Sequence, residues 1–308
     1  MTVKSVLLTG TTGFIGRHMA AQLKKGGHNV ISLQRSTAMV AGVDEILAAP
    51  EFDVDTISMK LRNRNFDWLI HLAGYGVRAG DRDAEAMFRI NVGVTHRLVQ
   101  EACAWGAKAV FIAGSGSEYD TSLADKPVRE DHPLECFKIY GASKAAGSIC
   151  ALATASVHDL PLAVGRIFGV FGPGEPPHRL LPALFYALGH RERVGLSVGT
   201  QKRDLLYIDE VIAAVLDLVE KVEQTRDKVV VNIASGSPVT IRSFAEMACE
   251  EFGAPKSLLG FGDIPLRPDE TMYFSGDPTR LMRLTGWRPQ FDLRSGIRRS
   301  IEQFRNTK

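Results

Sequence analysis

Short apolar runs alternate with longer stretches of helical periodicity along the first half of the chain. The candidate buried strands are Val3–Thr9, Asn29–Leu33, Trp68–Gly74, Lys108–Ala113 and Leu162–Ile167. The clearest helical patterns are Ala84–Trp105 and Lys138–Val157. A repeated strand-then-helix order is typical of parallel sheets with helices on both faces. The pattern therefore predicts an α/β fold with a doubly wound parallel sheet.

The regular alternation decays beyond Gly174. The later apolar patterns are a strand, Val229–Ile233, and four helices, Arg179–His190, Glu210–Val222, Ile241–Phe252 and Leu293–Phe304. We predict that residues 1–168 form the main sheet domain, to which a segment at about 203–234 returns. Residues 169–202 and 235–308 are predicted to form mainly a smaller, mixed α/β C-terminal lobe.

The composition limits the classes of function. The 308 residues carry a formal net charge of +2 and no block of Lys or Arg, so nucleic-acid binding is not expected. The sequence shows no signal-peptide pattern and no apolar run near the roughly 18 residues that a membrane span needs. Four scattered cysteines have no metal-ligand spacing and are expected to be reduced. We expect a cytoplasmic protein that binds neither a membrane nor a metal.

A glycine-rich turn follows the first predicted strand and opens a helical pattern. Such a context predicts a dinucleotide site. Gly10 allows the tight turn, Gly13 lets the backbone approach a pyrophosphate, and Gly16 lets the helix pack close to the strand. The helix N-terminus attracts phosphate groups. The predicted cofactor contacts here are Gly10, Thr12, Gly13, Phe14, Ile15 and Gly16.

The end of the second strand indicates which cofactor is used. An acidic residue there binds the ribose of NAD, whereas an arginine accommodates the 2′-phosphate of NADP. The sequence has the neutral Gln34 followed by the cationic Arg35. We therefore favour NADP(H) over NAD(H), although an arginine in a solvated loop is the alternative.

Other predicted cofactor contacts lie at strand ends and in one helix. A weak strand pattern, Phe52–Thr56, carries Asp53 and Val54 toward an adenine edge. The segment Leu72-Ala73-Gly74 lets the chain pass close to a cofactor. Asn91 and Ile167 complete this set. His71 is interpreted as a core histidine.

Tyr140 and Lys144 are four residues apart in a predicted helix, so they share one face. An ammonium beside a phenol favours the phenolate and lowers the pKa of the phenol, which makes the pair an acid/base device. An isolated Tyr-x-x-x-Lys pair more often lies on a solvated helix face. Whether this pair is catalytic therefore depends on the motifs in the rest of the chain.

Nearly the whole chain resembles the extended short-chain dehydrogenase/reductase family, in its nucleotide-sugar epimerase/dehydratase/reductase branch. The resemblance rests on TGTTGFIG (9–16), HLAG (71–74), Asn91, GSGSEY (114–119), YGASK (140–144), RIFGVFGPG (166–174), RDLLYIDEV (203–211), RP (267–268) and GWRP (286–289). It implies that residues 1–168 form an NADP-binding domain of the Rossmann type and that the C-terminal lobe binds substrate.

The resemblance also implies a catalytic set of Ser115, Tyr140 and Lys144. Tyr140 would give or take the proton on a sugar oxygen while hydride moves between a nicotinamide and the attached carbon. Lys144 would lower the pKa of Tyr140 and hold the nicotinamide ribose, so Tyr140 and Lys144 also count as cofactor contacts. Ser115 would stabilise charge on the reacting oxygen, with capping of its own backbone as the alternative.

Four residues are candidate contacts to a nucleotide-diphosphate sugar. Arg203 and Arg267 resemble arginines that clamp the diphosphate, and guanidinium suits phosphate. Either arginine is otherwise a structural salt bridge. Arg179 is a weaker candidate, and Ser117 follows the predicted catalytic serine by two residues.

Departures from the family pattern argue against a 4,6-dehydratase and against an epimerase/reductase that moves carbon-bound protons. Gly116 and Ser117 stand where dehydratases carry an Asp-Glu pair, and Ser117 and Arg179 stand where epimerase/reductases carry Cys and His. Gly169 replaces an asparagine near the substrate phosphates.

We therefore predict an NADPH-dependent reductase of a nucleotide-activated 4-keto-6-deoxyhexose. The alternatives are an NAD-dependent 4-epimerase of a nucleotide hexose and a non-catalytic nucleotide-binding module. By analogy with relatives, the two long helices are expected to form a homodimer interface.

Overall fold

In a computed structural model, which describes residues 2–77 and 80–306, the chain folds around a seven-stranded sheet. Its strands are β1 (Ser5–Thr9), β2 (Asn29–Gln34), β3 (Glu45–Ala48), β4 (Trp68–His71), β5 (Ala109–Ser115), β6 (Leu162–Ile167) and β11 (Lys228–Ile233). Every pairing in this sheet is parallel, in the order β11-β6-β5-β4-β1-β2-β3. The strand order reverses between β4 and β1, and ligands of such sheets bind at that point.

Helices cover both faces of the sheet, which confirms the predicted doubly wound α/β fold. They are α1 (Phe14–Lys25), α2 (Val54–Leu61), α3 (Ala84–Phe88), α4 (Thr95–Ala104), α5 (Ile139–Val157), α6 (Leu180–Gly189), α7 (Ile208–Thr225), α8 (Ile241–Phe252), α9 (Thr279–Thr285) and α10 (Leu293–Asn306). Because side chains alternate across a strand, β1 sends Val6 and Leu8 into one buried core and Leu7 into the other.

The remaining strands form three small sheets. They are β7 (Gly169–Phe171), β8 (Val194–Leu196), β9 (Lys202–Arg203), β10 (Leu205–Tyr207), β12 (Val239–Thr240), β13 (Leu259–Phe261) and β14 (Tyr273–Phe274). β10 pairs with β7, β13 pairs with β8, and β9 lies between β12 and β14. Although β11 follows these excursions along the chain, it pairs with β6 in the main sheet. The assignment of the C-terminal lobe to substrate stays a prediction.

The predicted third strand, Phe52–Thr56, is wrong. The third strand is β3, and residues 54–61 are helical. The carboxylate of Asp53 accepts a hydrogen bond from the backbone nitrogen of Thr56 at 2.8 Å and caps the start of α2. A polar cap followed by a short apolar segment resembles a strand when the window is only five residues long.

The predicted long helix Ala84–Trp105 is interrupted. Between α3 and α4, residues Arg89–Val94 form a π-helical turn. The hydroxyl of Thr95 donates to the backbone oxygen of Asn91 at 2.8 Å. Wide turns of this kind often occur at functional sites, and this one carries Asn91, a predicted cofactor contact.

A buried carboxylate ties the small sheets to the main sheet. Asp204, between β9 and β10, is fully buried. It accepts hydrogen bonds from the nitrogen and hydroxyl of Ser235 (both 2.7 Å), from the nitrogen of Gly236 (3.0 Å) and from the hydroxyl of Ser275 (2.8 Å). Ser235 follows the end of β11, so Asp204 fixes β9 relative to the main sheet.

No helix among residues 2–77 and 80–306 is long and apolar enough to cross a bilayer. All four cysteines are free thiols in the structure: Cys103, Cys136, Cys150 and Cys249. Hydrogen bonding and apolar packing, rather than disulfide cross-links, therefore hold the fold.

We expect Asp204→Ala to lower the free energy of unfolding by about 3 kcal/mol or more, because each buried donor left without a partner costs about 1–3 kcal/mol. Urea unfolding followed by circular dichroism measures the change. As a control, Asp263→Ala removes an exposed carboxylate paired with Arg193 and is expected to cost less than about 1 kcal/mol. Equal losses for the two variants would contradict the structural role of Asp204.

Candidate active site

The glycine turn between β1 and α1 leaves no room for a side chain at Gly10 or Gly16. Gly10 has φ +75°, and a side chain there would come within 2.8 Å of the backbone nitrogen of Ala73. A side chain at Gly16 would collide with the carbonyl of Gly10. The nitrogen of Gly13 donates to the oxygen of Gly10 at 2.9 Å and closes the turn. The backbone is thus bare at the N-terminus of α1, as a pyrophosphate requires.

Of the two residues at the end of β2 that favoured NADP(H), Gln34 is buried and Arg35 is exposed. Gln34 is buried, and its amide nitrogen donates to the carbonyls of Ser36 (2.8 Å) and Ala38 (2.7 Å). Its amide oxygen accepts from the hydroxyl of Thr11 at 2.8 Å, so Gln34 shapes the loop after β2. Arg35 is exposed at the carboxyl end of the strand. No carboxylate occupies position 34 or 35.

A chain of hydrogen bonds fixes the end of β4. Thr95 donates its hydroxyl proton to the oxygen of Asn91, so it accepts from Nε2 of His71 (3.1 Å). Nδ1 of His71 then accepts from the hydroxyl of Thr9 (2.7 Å), which itself accepts from the nitrogen of Ala73 (3.1 Å). Burial lowers the pKa of His71 to about 3. His71 is therefore a neutral core residue that holds Ala73 in place.

Asn91 joins the end of β4 to α5. Its side chain exchanges two hydrogen bonds with the backbone of Tyr75, both at 2.9 Å. It also donates to the hydroxyl of Ser143 at 3.0 Å, and Ser143 donates to the carbonyl of Tyr140 at 2.8 Å. A side chain at Gly147 would collide with the carbonyl of Asn91, so the two helices are in direct contact there.

The three residues of the predicted catalytic set lie together. Ser115 ends β5, Tyr140 lies in the first turn of α5, and Lys144 lies one turn later. The hydroxyl of Ser115 lies close enough to the phenol of Tyr140 to lower the pKa of that phenol. The ammonium of Lys144 is buried and donates to the carbonyl of Ala113 at 2.6 Å. A serine hydroxyl and a phenol therefore lie close together near the carboxyl end of β5.

The electrostatics of Tyr140 differ from the expectation. Burial raises the pKa of Tyr140, and this effect exceeds that of the nearby Ser115 hydroxyl, which lowers it. Burial also lowers the pKa of Lys144. The structure favours a phenol that keeps its proton.

Sequence reasoning gave no role to Glu118. The hydroxyl of Ser115 caps its own turn by accepting from the nitrogen of Ser117 at 3.1 Å. In return, the carboxylate of Glu118 accepts from the nitrogen of Ser115 at 2.9 Å. This reciprocal capping box has a sequence signal, Ser-x-x-Glu, which predicts the contact. The alternative reading of Ser115 as a cap is thus correct and coexists with its contact to Tyr140.

The predicted phosphate arginines are on neighbouring segments. Arg203 forms an ion pair with Glu270, and its guanidinium also donates to the carbonyls of Thr271 (2.7 Å) and Lys202 (2.9 Å). Burial lowers the pKa of Arg203, against the charge of Glu270. Arg267 is exposed, and its carbonyl accepts from the nitrogen of Glu270 at 3.1 Å. Arg203 therefore forms an ion pair, the alternative considered from the sequence, and its contact to a diphosphate stays a prediction.

Arg179 is exposed in the loop that leads to α6. Its guanidinium lies 3.5 Å from the carboxylate of Glu175. Burial raises the pKa of Glu175 to about 7, although the nitrogen of Gly172 donates to its carboxylate at 3.0 Å. Glu175 was not identified from the sequence.

The other predicted contacts fall into two groups. Thr12 and Gly74 are exposed, Phe14, Ile15, Leu72, Ala73 and Ser117 are half-buried, and Ile167 is buried at the end of β6. Asp53 and Val54 lie instead at the start of α2, next along the chain from β3 at the edge of the sheet.

We expect Gly10→Ala to weaken both folding and cofactor binding, because the new methyl group meets the backbone of Leu72 and Ala73. Gly27→Ala is a matched control, since Gly27 has φ +79° but no atom within 4 Å of the added carbon. The control is expected to cost about 1 kcal/mol, from the left-handed backbone alone. Urea unfolding and NADPH fluorescence titration measure both. Equal effects would show that the close approach at Gly10 is unimportant.

Comparison with known proteins identifies relatives over the whole chain. The chain is 28% identical over 309 residues to a dTDP-6-deoxy-L-talose 4-dehydrogenase (NAD(P)(+)) of Kitasatospora kifunensis, covering 95% of this chain and 93% of that protein. It is 28% identical over 311 residues to a dTDP-glucose 4,6-dehydratase of Streptomyces griseus, covering 96% and 92%. Among solved structures, MoeE5 in complex with UDP-glucuronic acid and NAD is 29% identical with a TM-score of 0.85, covering 99% of this chain and 100% of that one.

A family model, described as the NAD dependent epimerase/dehydratase family, matches residues 6–234. That range runs from the second residue of β1 to the end of β11, and it includes the glycine turn, Ser115, Tyr140 and Lys144. The chain therefore belongs to the NAD dependent epimerase/dehydratase family, within the extended short-chain dehydrogenases/reductases.

Proposed function

We propose that the protein modifies a nucleotide-activated sugar with a nicotinamide cofactor, and that it reduces the 4-keto group of a 4-keto-6-deoxyhexose with NADPH. The observation that carries the proposal is the proximity of the Ser115 hydroxyl to the Tyr140 phenol, with Lys144 one turn further along α5 and close to Gly74. Two hydroxyl groups directed at one oxygen suit the reduction of a carbonyl.

The bare backbone of Gly10, Gly13 and Gly16 fits a cofactor pyrophosphate, and Gly74 faces Asn91 and the ammonium of Lys144. The exposed guanidinium of Arg35 fits a 2′-phosphate, while the side chain of Gln34 is hydrogen-bonded within the loop after β2. These features support NADP(H) over NAD(H). When bound, the cofactor supplies the hydride.

Tyr140 is the proposed proton donor. Because burial raises the pKa of Tyr140, the phenol holds its proton at neutral pH and gives it to the sugar oxygen. Ser115 donates its hydroxyl proton in a hydrogen bond to the same oxygen, and its backbone is fixed by the capping box. Lys144 supplies a buried positive charge that favours the negative charge left on Tyr140 after proton transfer.

The surroundings of Gly116 disfavour a dehydratase. A side chain at position 116 would come within 2.8 Å of the ring of Phe168 and 2.7 Å of the ring of Phe274. The acidic residue that the resemblance places there in dehydratases therefore has no space here. The Kitasatospora relative, named as a 4-dehydrogenase of a 6-deoxy sugar nucleotide, catalyses the kind of reaction proposed, in the direction of oxidation.

For the substrate diphosphate we propose Arg203 and Arg267, with Ser117 and Arg179 contributing at the sugar end. Arg203 is already oriented by Glu270 and two carbonyl groups, and Arg267 extends from the same loop as Glu270. Two guanidinium groups on neighbouring segments suit a diphosphate.

We also propose a cytoplasmic homodimer that uses α4 and α5. Exposed apolar side chains on α5 include Ile149 and Val157, and Phe88 is exposed at the end of α3. Burial of such side chains between two copies of the chain favours association.

We expect Tyr140→Phe to reduce NADPH turnover by about 10²–10⁴-fold, because the general acid is lost, with little change in cofactor affinity. NADPH absorbance decay with a panel of 4-keto sugar nucleotides measures turnover, and calorimetry measures binding. Tyr186→Phe, at an exposed tyrosine on α6, is the control. Loss of cofactor binding in Tyr140→Phe would instead make Tyr140 a structural residue.

The same assay separates the alternatives. Exchangeable NADPH that is consumed supports the reductase, whereas tightly retained NAD with no net consumption supports the 4-epimerase. Tight binding without turnover of any 4-keto sugar nucleotide would support a binding module.

We expect Arg35→Ala to weaken NADPH binding by about 10–100-fold with little effect on NADH, because a charge-assisted hydrogen bond contributes about 1.5–3 kcal/mol. Fluorescence titration with both cofactors measures the ratio of affinities. Arg62→Ala, at an exposed arginine after α2, is expected to leave that ratio unchanged. An unchanged ratio in Arg35→Ala would remove the basis for the NADP preference.

A further inference from the structure

Glu118 is a fully buried carboxylate directly behind the candidate site. It ends the short helical turn Gly116–Glu118 that follows β5. One carboxylate oxygen accepts from the nitrogen of Ser115 at 2.9 Å and from the hydroxyl of Ser148 at 3.0 Å. The other accepts from Nε of Arg166 at 2.8 Å. Three different elements therefore meet at one side chain.

The contact to Ser148 links Glu118 to the residues that would carry the reaction. Tyr140, Lys144 and Ser148 follow one another at intervals of four residues, so they line one face of α5. Glu118 binds the third of these residues, and through its other hydrogen bond it holds the backbone of Ser115. A single oxygen atom thus joins the end of β5 to the face of α5 that carries Tyr140.

Close backbone packing makes this connection rigid. A side chain at Gly141 would collide with the carbonyl of Ser117, so α5 lies directly on the turn that contains Glu118. A side chain at Gly114 would come within 2.6 Å of the carboxylate itself. With no free space on either side, the carboxylate has one position.

Arg166 explains how the charge of Glu118 is tolerated. The guanidinium of Arg166 is buried with Glu118 and lies 4.4 Å from the ring centre of Tyr119. It also donates to the carbonyl of Glu130 at 3.3 Å. The ion pair and the hydrogen bonds offset the cost of burying the carboxylate.

We propose that Glu118 is a positioning residue for the reduction: its carboxylate holds the hydroxyl of Ser115 and the phenol of Tyr140 in register, and supplies a buried negative charge close to Tyr140 and Lys144. This inference rests on the proposed function. It gives Glu118 no part as an acid or base on the substrate, because the carboxylate is buried and its oxygens are engaged by Ser115, Ser148 and Arg166.

The charges around the site support a role for the negative charge of Glu118. The negative charge of Glu118 raises the pKa of both Tyr140 and Lys144, in each case as a smaller effect than burial. Tyr140 is faced by Ser115 and Glu118 and shares its helix with Lys144, which in turn lies near the neutral His71.

On the far side, Glu118 is faced by Arg166, which contacts Tyr119 and the backbone of Glu130. Neutralising Glu118 therefore lowers the pKa of Tyr140. The protonated donor would then be lost at a lower pH.

The test uses Glu118→Gln, which keeps the shape of the side chain and removes its charge. We expect kcat for reduction to fall about tenfold or more, KM for the sugar nucleotide to change by less than about threefold, and the alkaline limb of kcat to move to lower pH. Ser148→Ala removes one hydrogen bond but no charge, and is expected to lower kcat without moving that limb.

Glu101→Gln is the matched control, since Glu101 is a half-buried glutamate that accepts a hydrogen bond from Ser58 on α2. Glu101→Gln is expected to leave kcat and its alkaline limb unchanged. If Glu118→Gln does not fold because Arg166 is left unpaired, Glu118→Gln/Arg166→Met removes both charges. A smaller shift of the alkaline limb in the same direction is then expected, because Arg166 lies on the far side of Glu118 from Tyr140.

A measurement that needs no turnover separates this inference from the proposed function. The ¹³Cζ resonance of Tyr140, assigned by its loss in Tyr140→Phe, is followed against pH in the wild type and in the folded Glu118 variant. A lower midpoint in the variant supports the inference even if no 4-keto sugar nucleotide is reduced. Identical midpoints, or wild-type kcat in Glu118→Gln, would overturn it.

Discussion

The buried ammonium of Lys144 lies against the carbonyl of Ala113, and this contact fixes where α5 meets β5. A charged group this deep is costly unless its donors find partners, so the helix has little freedom to slide along the strand. Ser115 is two residues beyond Ala113, and Tyr140 is one turn before Lys144. The contact between a serine hydroxyl and a phenol follows from that register.

Glycines allow the close backbone packing that this register of α5 against β5 requires. Gly141 and Gly147 let α5 touch the turn after β5 and the carbonyl of Asn91, and Gly10 and Gly16 do the same for α1 and the end of β4. The elements that border the site are thus in backbone contact rather than separated by side chains. Hydrogen bonds that His71 accepts from Thr9 and Asn91 accepts from Tyr75 then hold the end of β4 at the same edge of the sheet.

The sequence was sufficient for the parts of the fold that repeat a strong local pattern. The glycine turn, α1 and α8 lie where periodicity and spacing predicted them. Phe52–Thr56 was misjudged because a capping aspartate and two apolar residues resemble a strand over so short a window. Arg203 and Glu118 illustrate a different limit. Their partners, Glu270 and Arg166, are 67 and 48 residues away along the chain, so only the folded structure shows that one guanidinium and one carboxylate are paired.

In the proposed reaction, the hydroxyl of Ser115 and the phenol of Tyr140 both hydrogen-bond to the same oxygen of a sugar. A crystal structure with NADP⁺ and the product nucleotide sugar tests it most directly, through the distances from Ser115 Oγ and Tyr140 Oη to the oxygen on the sugar's C4. The account predicts that both distances fall within about 2.6–3.2 Å. A sugar bound with that oxygen beyond the reach of both hydroxyl groups would contradict it.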